Sequence, residues 1–263
     1  GHTAYLVYRG GGLEVVDISD PSAPHGISRF ETMSNLADIA VADGRAYLAV
    51  DLPSGDCNRM QILDVGNASH PGVGGSADIQ LCDSGDPLSI AVSGSHVYFG
   101  AESAFHVISI SDPSTPYEVA RVETRALDVA IQGSYAYVAA AASGLRIFDI
   151  RVPSAPLLVG AFVLPETTWG PDQARVITVA GRRAYVGRSR LHAFDISDPS
   201  HPLLLWSYRN SGIFDGFVEP LTAVAVTGSS AFLAQSFLGS AILDISACQE
   251  PRHENRRDGD NGP

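Results

Sequence analysis

The sequence predicts an all-β fold, a β-propeller of about six four-stranded blades whose first blade lacks its innermost strand. Two markers that keep step along the chain carry this prediction. The segment Asp17-Ile-Ser-Asp-Pro-Ser-Ala-Pro24 returns as Asp64–Pro71, Ser109–Pro116, Asp149–Pro156, Asp195–Pro202 and Asp244–Pro251, each copy ending in proline. In phase with it, Tyr47, Tyr98, Tyr137, Tyr185 and Phe232 each follow a β-branched residue eight positions earlier, and Tyr5 is the sixth such aromatic. A period of roughly 45 residues sustained over the chain is the signature of a repeat architecture.

Each repeat resolves into short strands. Leu36–Ala42 is apolar or alternating, Asp43-Gly44 supplies hairpin turn chemistry, and Arg45–Val50 is the return strand. Met60–Val65 reads as the third strand. The Asp-Pro-Ser-x-Pro stretch that follows cannot lie within a sheet, because its prolines remove ladder donors and fix φ, so it connects third to fourth strand. Third strands carry consecutive apolar pairs, such as Val15-Val16, Ile62-Leu63 and Ile147-Phe148. A strand apolar on both faces suits a blade packed between two neighbours, which favours a propeller over a linear solenoid. No stretch has useful 3.6-residue periodicity, so helix is nearly absent.

Repeats such as Leu127-Asp-Val-Ala-Ile-Gln-Gly-Ser-Tyr-Ala-Tyr-Val-Ala139, followed by Gly144-Leu-Arg-Ile-Phe-Asp-Ile150, resemble the LVIVD-repeat family of bacterial and archaeal surface or secreted proteins. The resemblance spans residues 1 to about 251 and implies an extracellular or cell-envelope location without implying one activity. Family members often carry aspartate three residues after the hairpin tyrosine. This chain departs from that pattern, with Val50, Ala101, Ala140, Arg188 and Gln235 at the position.

The propeller is predicted over residues 1–251, its phases marked by Pro24, Pro71, Pro116, Pro156, Pro202 and Pro251, and residues 252–263 form a polar tail read as disordered. Gly1 falls at the hairpin position held elsewhere by Gly94, Gly133, Gly181 and Gly228, which is why the first innermost strand is missing. A segment of a longer chain is expected in preference to a ring closed by its own C-terminus.

Composition narrows the partners. The net charge of −12 argues against nucleic acid and anionic membrane surfaces, which demand clustered cations. No apolar run approaches the roughly 20 residues that span a bilayer, so membrane insertion is not expected. A monomer, or one part of a larger multidomain chain, is expected. All 17 basic residues are arginine, so no phosphate loop ending in lysine exists, and no Gly-x-Ser-x-Gly elbow occurs. The aspartates at 17, 64, 149, 195 and 244 recur in register and read as turn caps. His106 and His192 share a variable polar position of the third strand with Glu14, Gln61 and Arg146.

Candidate site residues fall in two places. Asp38 and Asp128 share an innermost-strand position with Ser89, where two carboxylates facing the channel would hold a cation such as calcium, or else bond the backbone of a neighbouring strand. No other cofactor is required. The insertions 164–174, 209–221 and 51–59 all emerge on one face, and the first two flank one blade. They bring Trp169, Asp172, Arg175, Phe214, Asp215, Phe217 and Glu219 forward as a ligand-binding surface with aromatic anchors and an acidic rim. Cys57 and Cys82 lie in loops leaving the same blade on that face and are expected to form a disulfide, leaving Cys248 odd. The reading that follows is a non-catalytic extracellular or envelope module binding a protein or glycan on its loop-rich face. Two others stay open: a hydrolase or lyase acting on a polysaccharide or other polymer at the channel mouth, and a structural spacer.

Overall fold

The computed structural model describes the chain except residues 1, 9, 33, 52–57, 73–77, 82–86, 168–169, 210–212, 215–216, 219, 236–238 and 247–263. Six small antiparallel sheets stand in a ring as a six-bladed β-propeller, with no helix among the described residues. Four blades have four strands in simple up-and-down order. The first blade has three among the described residues, Thr3–Tyr8, Gly12–Asp17 and His25–Phe30, which take the second to fourth places of the pattern. The sixth also has three among the described residues, Leu221–Thr227, Ser230–Gln235 and Gly239–Asp244. The innermost strands of the second to sixth blades are Asn35–Ala42, Pro87–Ser93, Asp128–Gln132, Val176–Ala180 and Leu221–Thr227.

The hairpin between the first two strands turns as its residues dictate. Asp43 and Gly44 both have positive φ, at 50° and 70°, the conformation a two-residue hairpin needs and that Asp-Gly supplies cheaply. The third-to-fourth connection is built by the recurrent aspartate. Asp17 Oδ1 accepts the Ser19 N–H at 2.7 Å, and Asp64, Asp149, Asp195 and Asp244 repeat that bond two residues on at 2.8 to 3.0 Å. Ser109 does the same through its hydroxyl at 3.5 Å. A second turn of the same kind follows, with Asp20, Asp112 and Asp198 each accepting a serine N–H. Four blades then shift register in one place, between Val15 and Val16, Val107 and Ile108, Ile147 and Phe148, and Ala193 and Phe194. A bulge there bends the outer pair and increases its twist.

The core is a stack of blade-to-blade layers. The tyrosine face of one blade meets the opposite face of the next: Tyr47 and Ile62 of the second pack with Phe99 and Val97 of the third, and Tyr137 and Ile147 of the fourth pack with Val186 and Phe194 of the fifth. The series stops at the sixth blade. Tyr137 is 2% exposed and its cross-strand partner Ile147 is 0%, whereas the equivalent Phe232 is 42% and Ile242 is 70%. The first blade shows the complementary face, with Leu6 45% exposed where Leu48 and Val138 are fully buried.

This contrast yields a stability prediction. Ile147→Ala should cost roughly 2–5 kcal/mol through lost burial and a residual cavity, while Ile242→Ala should fall within about 0.5 kcal/mol of the parent. Urea denaturation of the two variants measures the difference, and equal losses would mean that the Ile242 face is covered in solution.

Candidate functional site

The blades open at one end of the axis onto a cavity of about 740 Å³. Second-to-third loops and blade-to-blade connections end on the same face, so this mouth lies on the loop-rich side. Its rim is charged. Arg125 and Arg175 come from blade-to-blade connections and Glu102 and Arg188 from second-to-third loops, with Gln173 beside them. Arg125 Nη2 donates to Glu102 Oε1 at 3.2 Å, and Arg188 Nη1 donates to Gln173 Oε1 at 3.0 Å. Arg175 is exposed and has no hydrogen-bond or ion-pair partner among the described residues. Backbone fixes where these side chains start: the Arg175 N–H donates to Gly187 O at 3.0 Å, and the Leu221 N–H donates to Arg188 O at 2.8 Å.

The cavity wall holds Asp38 and Asp128, and the structure ties them into a belt joining four blades. Asp38 Oδ2 accepts the Ile90 N–H of the next innermost strand at 2.9 Å, while its Oδ1 accepts the adjacent Ile39 N–H at 2.8 Å. Ser89 Oγ donates to Asp128 Oδ1 at 3.0 Å and accepts the Val129 N–H at 3.1 Å. Asp128 Oδ1 also accepts the Val129 N–H, and Oδ2 accepts the Ile177 N–H, both at 2.8 Å. The pair therefore does what the backbone-bonding reading of these positions requires. Calcium takes six to eight oxygens, and no cluster of three or more His, Cys, Asp or Glu suited to a metal occurs among the described residues. Two carboxylates already engaged by N–H donors fall short of that set.

Burial raises the pKa of both carboxyls. For Asp128 it pushes the value up to about 6 against the pull of its hydrogen bonds, and the charge of Asp38 adds to the rise. Asp38 is raised for the same first cause.

Asp172 lies beneath the surface, 3% exposed, rather than on an acidic rim. Its Oδ2 is 3.3 Å from Nε2 of the fully buried His192, whose Nδ1 is 2.7 Å from Ser207 Oγ. Its Oδ1 accepts the Gln173 N–H at 2.9 Å and the Ser189 N–H at 3.4 Å. Burial pushes the Asp172 carboxyl up, but the bond from His192 and the backbone donors outweigh it and leave the pKa below the usual value. Asp172 thus anchors the connection that carries Gln173 and Arg175 to the mouth. Ala174 strengthens the anchor by exchanging both backbone bonds with Ala141. His106, at the position equivalent to His192, is likewise buried and lies 2.6 Å from Glu118 Oε1.

Of the other residues proposed from the sequence, Phe214 and Phe217 face each other across a small hairpin, Ile213–Phe214 with Phe217–Val218. Trp169, Asp215, Glu219, Cys57, Cys82 and the tail from 252 lie outside the described residues. Sequence reasoning passed over Ser89, Glu102 and Arg125 as site residues. Arg188 was visible as the departure from the expected aspartate after the hairpin tyrosine.

A ring of repeat blades with a charged axial mouth and variable loops defines a β-propeller scaffold. The chain belongs to the LVIVD repeat family, whose model matches residues 1–32, 84–124, 125–163 and 171–210. No curated protein matches it. Among solved structures it is similar to a functionally unknown protein from Desulfotomaculum acetoxidans, with a TM-score of 0.72 and 16% identity over 93% of this chain and 80% of that one. It is also similar to the computationally designed Ika8 protein, with a TM-score of 0.61 and 11% identity over 95% and 70% of the two chains. A third likeness is to Hsv2 of Kluyvelomyces marxianus, with a TM-score of 0.59 and 12% identity over 89% and 72%. At these identities the likeness is one of fold.

Two predictions test the polar framework. Asp128 has its folded pKa raised above the unfolded 3.8. Its contribution to stability is therefore complete below about pH 4 and lost as pH rises through about 6, on the order of 3 kcal/mol at most. Urea midpoints measured from pH 4 to 7 should fall across that window, and the fall should flatten in Asp128→Asn. Asp172→Ala strips a buried histidine of its partner and should cost roughly 2–4 kcal/mol. A thermal melt within one degree of the parent would contradict the anchoring role.

Proposed function

We propose that the chain is a non-catalytic binding module of the extracellular space or cell envelope, and that its ligand enters the axial mouth on the loop-rich face. The observation that carries this reading is the cavity itself, which gathers three arginines and three carboxylates from several blades at one opening. A propeller wall rigid enough to hold such groups in place costs little reorganisation on binding, which favours recognition. Binding is preferred over turnover because Asp38 and Asp128 serve the fold, each holding the backbone N–H of a neighbouring innermost strand and so standing as a fixed acceptor. Trp169, Phe214, Phe217, Asp215 and Glu219 of the neighbouring insertions are proposed as further contacts for a larger glycan or a protein partner. The resemblance to surface proteins of this family supports the envelope location, and a Cys57–Cys82 disulfide is proposed with it.

A glycan array probed with labelled protein tests the site. Ala223→Trp fills the cavity from an exposed wall position and should abolish retained signals, while Phe217→Ala should weaken only binding to long chains. Signals unaffected by Ala223→Trp but lost with Trp169→Ala and Phe217→Ala together would move the site to the insertions. Turnover of an arrayed polymer that stops with Asp38→Asn would favour the enzyme reading. Mass spectrometry of unreduced peptides should find Cys57 joined to Cys82, and two free thiols would remove the disulfide.

A further inference from the structure

The described rim of the axial mouth is basic. The whole protein carries a net charge of −12, yet Arg125, Arg175 and Arg188 line this one cavity with Glu102 the single rim glutamate among the described residues. Two of the arginines are braced from the side. Arg125 gives one N–H to Glu102 and Arg188 gives one to Gln173, through single contacts that leave the other N–H groups of each guanidinium uncommitted. Arg175 has no partner among the described residues and is anchored only through its backbone. A planar fork of donors matches the two oxygens of a carboxylate or phosphate, and a braced fork loses less freedom when it binds one.

Deeper in the same cavity the chemistry reverses. Asp38 Oδ1, Asp38 Oδ2 and Asp128 Oδ2 each accept one backbone N–H. A carboxylate oxygen has two lone pairs, so each retains room to accept a ligand hydroxyl. The lining also includes Leu88, Leu127 and Ala223, which give the cavity some nonpolar surface. Donors above and acceptors below describe the complement of a molecule with an acidic group at one end and hydroxyls at the other.

We infer that the ligand of the axial mouth is a hydroxylated acid, a sugar carrying a carboxylate or a phosphate, with its anionic group held by Arg175 between Arg125 and Arg188 and its hydroxyls directed toward Asp38 and Asp128. This inference rests on the reading of the mouth as the binding site and adds the class of ligand. Free sugar acids, sugar phosphates and the acidic end of a polysaccharide share this chemistry.

Calorimetric titration of the whole chain with galacturonate, galactose 6-phosphate, oligogalacturonate and neutral galactose at low and physiological salt tests it. At least one acid should bind, more weakly at the higher salt, and galactose should bind at least tenfold more weakly than its acidic counterpart. Which acid binds separates carboxylate from phosphate, and a gain with the oligomer points to a polymer end. Arg175→Ala should lose at least tenfold, and Arg175→Lys should recover only part of that, because it keeps the charge without the fork. Arg175 is exposed, so an unchanged thermal melt verifies that these variants are folded. Acids that bind equally well to Arg175→Ala, or galactose that binds as well as galacturonate, overturn the ligand class. If Ala223→Trp nonetheless blocks that binding, the mouth remains the site. No binding by any of the three acids at 10 mM overturns the inference outright.

Discussion

Every blade of this protein is apolar on both faces, and that single constraint fixes the rest of the structure. A sheet of four short strands with two buried faces is unstable alone and is satisfied only between two others like it. Tyr137 with Ile147 on one face, and Val138 on the other, show the double demand within one hairpin. Repetition around an axis meets it, and the twist of each sheet tilts its neighbour so that the stack curves into a ring. Where a neighbour is lacking the same residues become surface, as Phe232, Ile242 and Leu6 do. Apolar exposure on that scale does not arise from a loose core, since the adjoining faces of the same blades are tightly buried.

The polar groups follow from this economy. Strand ladders satisfy the backbone inside each blade, so the remaining demand for hydrogen bonds lies at turns and at the axis. The repeated Asp or Ser at the third-to-fourth connection meets the first demand locally, two residues away. That locality is why it recurs with so little variation and why it serves no ligand. Asp38, Ser89 and Asp128 meet the second by reaching across blade boundaries. The belt ends on the fifth innermost strand, at the Ile177 N–H, and the corresponding positions of the fifth and sixth strands carry Val176 and Ala223, which cannot pass it on.

Much of the architecture was legible in the sequence because it is written repeatedly. Proline, the turn aspartate and the hairpin aromatic recur in phase, and each repeat restates the same local solution. The three described strands of the first blade, from Thr3–Tyr8 onward, fall where the repeat phase puts them for the same reason. The site was less legible because it is written once. Arg125, Arg188 and Glu102 sit in three different connections, and only the curvature of the ring brings them to one opening. Asp172 shows the opposite difficulty. Its setting, among Pro171, Trp169 and Gly170, reads as an exposed loop, yet His192, twenty residues on in the neighbouring third strand, draws it inside. The variable polar position on that strand, judged structural from its alignment, is structural, and its partner is what the alignment could not show.

The placement of charge gives the last step. A chain of net −12 sets up a negative field that favours an arginine anywhere on its surface, so the field alone does not explain why three gather at one mouth. Such a cluster is costly to the fold in one respect. Guanidinium groups facing a common cavity repel one another, and exposed pairs such as Arg125 with Glu102 return little stability. Structure alone does not require them, for the equivalent rim positions after the hairpin aromatic in the second, third and fourth blades carry Val50, Ala101 and Ala140. An arrangement that the fold tolerates without needing is best explained by what it meets from outside. The belt beneath it then has two consequences, holding the innermost strands in register and giving the floor of the mouth a fixed set of acceptors.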